Sequence, residues 1–144
     1  MAWSFSSVGA TSSSGAPASN RSKDAWAKAS ETLTYSSTSS TAEDLTSSVV
    51  DFIPKGKDFL VLANTGGTNL SSDADIAVQV CGTSSGTFVL LKDDLITSID
   101  NKVAAALYDI SSYGEAPFYK LLIDADGVEK ATDTVVLEVY WDPE

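Results

Sequence analysis

The sequence predicts an all-β chain, an antiparallel β-sandwich or jelly-roll-like body preceded by an extended N-terminal arm. Three observations carry that reading. Seven to nine short segments are β-branched, aromatic or alternating in polarity, with turn residues between them every 8–15 positions. Almost nothing has helical periodicity. Serine is concentrated at the front, with 15 in residues 1–50 against seven in 51–144.

In chain order, residues 1–30 read as the arm and 31–144 as the sandwich domain. Ser4 to Asn20 is built of Ser, Gly, Ala, Thr and Pro with little to bury, so it cannot offset an ordering cost of ~1–2 kcal/mol per residue on its own. Trp3 and Phe5 are the large apolar groups at its start. Residues 22–29 fit a short helix, with Ser22 as N-cap and Trp26 facing inward. Arg21, Lys23 and Lys28 place three of the chain's nine basic residues within eight positions. The arm's aromatic anchors and its basic cluster, Arg21, Lys23 and Trp26 included, suit docking on a partner surface; a merely solvated entry segment is the competing reading.

Strand signals begin at Thr32-Leu33-Thr34-Tyr35 and continue through Leu45 to Phe52. Pro54-Lys55-Gly56-Lys57 is a turn, followed by Phe59 to Ala63, apolar on both faces. Ile76 to Cys81 alternates, and Thr87 to Leu91 answers it as an antiparallel partner. Val103 to Tyr108 is alanine-rich, yet its length and neighbours favour a strand. Phe118 to Ile123 and Thr134 to Trp141 bracket Asp124-Ala125-Asp126-Gly127, which reads as a hairpin with an Asp-Gly turn. Cys81, at the end of its apolar run, reads as a buried and inert thiol.

Composition excludes several chemistries. The chain has 144 residues, 20 acidic and 9 basic side chains and no histidine. Imidazole bases, Ser-His-Asp triads and His-ligated zinc are therefore impossible. One cysteine cannot form an internal disulfide or a thiolate cluster. A net charge of −11 opposes nucleic-acid binding. No run of 18 apolar residues suits a membrane helix, and the front end lacks the pattern of a secretory signal.

Acidic pairs are the first catalytic candidates: Asp73 with Asp75, Asp93 with Asp94, and Asp124 with Asp126 and Glu129. All fall at expected turns, where Asp is favoured for local backbone hydrogen bonds. Asp124 to Gly127 does not keep the EF-hand spacing, since aligning Gly127 puts Leu122 at the first ligand position. No P-loop lysine, G-x-G-x-x-G or G-x-S-x-G occurs. The reading is of no catalytic residue, no resident metal and no cofactor. Tyr113, Tyr119 and Tyr140 are the aromatics to expect at an interface or beneath a sugar ring.

The segment Leu107 to Ile123, with Tyr113-Gly114-Glu115-Ala116-Pro117-Phe118-Tyr119-Lys120 at its centre, resembles small virion proteins of tailed bacteriophages. With the Ser/Thr/Gly/Ala-rich opening and the Val139-Tyr140-Trp141 ending, the chain resembles capsid decoration, or cement, proteins, such as those of cyanophages and other marine phages. The resemblance implies a non-enzymatic protein on the outer surface of the virion head. It also implies a homotrimer bound to the major capsid protein, with an arm reaching across neighbouring subunits. Seventeen residues from Ser4 to Asn20 span up to ~55 Å when extended at ~3.3 Å each. The alternative is a carbohydrate-binding or receptor-binding module of a phage fibre, displaying a row of aromatics.

Overall fold

A computed structural model describes residues 2–8, 26–35, 44–65, 73–100, 103–125 and 133–143. They form nine strands: β1 (Ser4–Val8), β2 (Trp26–Thr34), β3 (Leu45–Thr46), β4 (Phe59–Asn64), β5 (Ala74–Cys81), β6 (Val89–Ile96), β7 (Val103–Tyr108), β8 (Phe118–Ala125) and β9 (Thr134–Trp141). A single helical turn, α1 (Ile110–Tyr113), lies between β7 and β8. Two antiparallel sheets pack face to face, one in the order β1-β2-β9-β4-β7 and the other β3-β8-β5-β6. The expected sandwich is present.

Its connectivity is that of a jelly roll. Strands β2 and β9 pair, as do β3 and β8, β4 and β7, and β5 and β6. These are the rungs of one long hairpin whose tip is β5–β6. Rolling that hairpin adds the lateral pairs β4–β9 and β5–β8 and divides it into two sheets of four. Strand β1 then extends the first sheet beyond β2, running antiparallel to it with Phe5 opposite Ala29.

Alternation decides what each strand buries. On β9, Val135, Leu137, Val139 and Trp141 point inward, and on β8 Tyr119, Leu121, Ile123 and Ala125 do the same. Phe59, Val61 and Ala63 of β4 meet Ala74, Ile76 and Val78 of β5 in the same core. Phe118 and Tyr140 take the outer faces, as the sequence places one aromatic of each pair inside. The expected turn at Pro54 closes with Lys57 N donating to Pro54 O at 3.2 Å.

The front end differs from the expected arm. Trp3 is 8% exposed, its indole Nε1 donates to Ser48 O at 3.0 Å, and its ring meets Phe52 edge-on at 5.9 Å. Residues 4–8 are a sheet strand, and the expected boundary at residue 30 falls inside β2, whose Ala29, Glu31 and Leu33 line the core. Burying an indole against Phe52, and through it Trp141, outweighs the polarity of the serines around it. The expected helix over 22–29 is also absent where it is described, because Trp26–Ala29 belong to β2; pairing with both β1 and β9 overrides a short local helix signal. Residues 22–25 lie outside the described residues.

Four further expectations are corrected. Strands β8 and β9 are not a hairpin, since they lie in opposite sheets and residues 126–132, outside the described residues, join them. The strand over Leu45–Phe52 shortens to β3 and one bridge, Val50 to Tyr119, because between them Ser47 N donates to Leu121 O while Leu121 N donates to the Ser47 hydroxyl instead of a backbone carbonyl. Asp93 and Asp94 lie within β6 rather than at a turn, at a bulge where Asp94 is left-handed at φ 49°. Cys81 is half-buried at the end of β5, because inward burial stops at Val78; hydrogen bonding by the Thr83 backbone holds the thiol below its ordinary pKa.

Candidate functional site

The resemblance segment folds as a self-contained corner. Asp109 caps α1, its carboxylate accepting from Ser111 N at 3.0 Å and from the hydroxyls of Ser111 and Ser112 at 2.7 and 3.0 Å. Those hydroxyl bonds, with the backbone bonds behind them, hold its pKa below the usual carboxylate value. Asp58 reaches over from the start of β4 to accept from Ile110 N at 3.0 Å. Gly114 ends the turn at φ 108°, a conformation side-chain-bearing residues rarely adopt.

Aromatics brace this corner from inside. The Tyr108 hydroxyl donates to Gly114 O at 2.6 Å, and its ring stacks on Phe59 with centroids 4.8 Å apart. Tyr119 lies edge-on to both rings, at 5.1 Å from Phe59 and 5.4 Å from Tyr108. Its hydroxyl oxygen accepts from Ala116 N at 3.0 Å. Burial raises the pKa of both phenols, most for Tyr108. Tyr113 packs on Tyr108 from the other side, and the Lys92 ammonium lies 4.8 Å over its ring.

Outside the corner is an open cleft of about 460 Å3, floored by Ile53, Ala116 and Tyr119 and flanked by Pro54 and Pro117. Lys55 and Glu115 stand at its rim, and Glu115 accepts from Gly56 N, where the turn adopts φ 84°. The cleft offers apolar contact with one charge of each sign. Its nearby carboxylates are engaged in holding the fold: Asp58 and Asp109 by α1, Glu115 by the Gly56 turn. No group of three or more potential metal-ligating side chains occurs among the described residues.

The residues singled out from sequence are dispersed. Trp3 is a core residue, while Phe5 is 61% exposed at the sheet margin with its ring edge-on to Phe52 at 4.9 Å. Trp26 is half-buried at the start of β2, and Arg21 and Lys23 lie outside the described residues. Tyr113 and Tyr119 belong to the corner, one half-buried and the other buried; Tyr140 lies on the outer face of the opposite sheet, 5.7 Å beneath the Lys28 ammonium. These three tyrosines form no row, which the sugar-binding alternative needs. Sequence reasoning passed over the exposed apolar groups Val89, Leu90, Leu91, Val103 and Leu107 on β6 and β7. Their signal was an apolar run on a strand that ends a sheet, and a strand's place in its sheet is not written in its own residues. Comparison with protein-family models, curated proteins and solved structures returns no match to this chain.

Proposed function

We propose that this chain is a structural virion protein that binds the outer surface of a phage head and bridges neighbouring major capsid protein subunits. The observation that carries the reading is the corner from Tyr108 to Lys120, where the segment resembling cement proteins builds a braced, preformed cleft. The carboxylates in and beside it are engaged in holding shape, and its floor is apolar, which suits a chain segment of a partner more than a reacting substrate. Jelly rolls recur in viral capsid and lectin domains, which is support by analogy of fold alone.

The mode of attachment changes with the front end. Trp3 is used internally, so the binding surface consists of the cleft and the exposed Phe5 margin, without Trp3 as a capsid anchor. Many copies on one shell let modest affinity per site stabilise the whole against internal pressure. The acidic exterior limits non-specific adhesion.

The test mixes the purified protein with expanded, undecorated phage heads and measures saturable binding and the melting temperature of the heads. The reading expects saturation, a raised head melting temperature, and a roughly tenfold weaker binding, about 1.4 kcal/mol, for the double variant K55E/P117D at the cleft rim. Absence of saturable binding to any head preparation sinks it. Binding on a glycan panel, lost on Tyr140→Ala, supports the fibre-module alternative instead.

A further inference from the structure

We propose that two copies of this chain associate by antiparallel pairing of β7 with β7, across a two-fold axis at Ala105. The two sheets end in four edge strands, β1, β7, β3 and β6. Strand β1, Ser4-Phe5-Ser6-Ser7-Val8, is mostly serine and offers a partner little apolar surface, and β3 is only two residues long. Strand β6 carries Lys92, Asp93 and Asp94, with a bulge at a left-handed Asp94. Short length, charge and bulges are the ordinary means by which sheet edges avoid pairing with other chains. Strand β7, Val103-Ala104-Ala105-Ala106-Leu107-Tyr108, has none of them: no charge, no proline and an unbroken register with β4. Among the described strands it pairs with β4 alone, and β6 borders it across the corner of the sandwich without pairing.

What fits this edge is the same edge. In the register centred on Ala105, Val103 faces Leu107 of the second copy and Ala104 faces Ala106. The large residues thus stand at the two ends and the small ones meet in the middle. Val103 and Leu107, 57% and 51% exposed, lie with exposed Ala105 on the outer face, so each gains an apolar cross-strand neighbour. Charge points the same way. The chain carries −11 overall, so two copies repel across most of their surfaces, and an edge without charge lowers that cost. A six-residue edge buries little area, below about 1,200 Å2 in total, so the dimer dissociates on dilution. A two-fold contact differs from the three-fold assembly that the resemblance implies, and it does not depend on the capsid reading.

The experiment is sedimentation of the full chain across a wide concentration range, with two variants and their mixture. Wild type is expected to shift reversibly from monomer to dimer. Ala105→Lys sets two ammonium groups against each other at the axis, while leaving a side chain that points to solvent, and is expected to stay monomeric with unchanged melting temperature. Ala105→Glu is expected to behave alike, and an equimolar mixture of the two to recover dimers. A wild type that stays monomeric throughout overturns the proposal, as does a trimer. So does a dimer indifferent to Ala105→Lys, and failure of the mixture to recover dimers refutes the Ala105-centred axis.

Discussion

Replacing Trp3 with alanine asks whether the first residues of this chain belong to its core. The indole is 8% exposed, meets Phe52 at 5.9 Å and donates to Ser48 O at 3.0 Å. Removing a buried tryptophan costs ~3–5 kcal/mol. Because β1 is an edge strand, it can detach without unfolding the body, which limits the loss to its docking energy. The expected value is therefore the low end, ~3 kcal/mol, out of a total of ~5–15. At ~3 °C per kcal/mol for a domain this size, the melting temperature falls by ~9 °C. Urea and thermal unfolding followed by fluorescence measure this, with Phe5→Ala as comparison. Phe5 is 61% exposed, and its removal is expected to cost ~1 kcal/mol at most. A Trp3→Ala protein that melts with wild type would show that residues 2–8 do not rest on the body, and the tether reading of the front end would return.

Three other outcomes are expected. Asp73 loses ionisation energy to partial burial, but bonds from the Ser98 hydroxyl and from the Ala74, Asp100 and Ile99 amides outweigh that and lower its pKa below 3.8. Its contribution is thus whole above that ordinary value and lost as pH falls through the folded one; Asp73→Asn should lower stability at neutral pH by about 1–3 kcal/mol and flatten the acid limb of an unfolding series. Gly114→Ala forces a side chain onto φ 108° and against Leu91 at 3.4 Å, so a loss of ~1–3 kcal/mol is expected from denaturation midpoints. Tyr108, raised chiefly by burial, contributes stability that is complete below its ordinary value of 10.0 and lost as pH climbs toward its folded value. Ultraviolet titration of the wild type should show a phenol ionising well above the ordinary range, and Tyr108→Phe should remove that late component.

Much of the body was legible residue by residue. The alternation in Thr134–Trp141 and Phe118–Ile123 told which side chains face inward, because a period of two is a property of the strand alone. The turn at Pro54 joins residues three apart, and the β5–β6 partnership joins strands consecutive in the chain, so both are local. The cleft was half visible. Its motif drew notice at Tyr113–Lys120, whereas Ile53, Pro54 and Lys55 arrive from a turn some sixty residues earlier.

Pairing between distant strands was decided only by the tertiary structure. Asp124–Gly127 signals a change of direction, but the sandwich sends the chain from β8 across to the other sheet, where β9 pairs on one side with β2 and on the other with β4. Trp3 shows the same limit: a tryptophan in a serine-rich opening reads as a loose end until Phe52 and Ser48, nearly fifty residues on, form its seat. Local pattern determines which faces are apolar, whereas the cover each face receives depends on contacts formed between residues far apart in the chain.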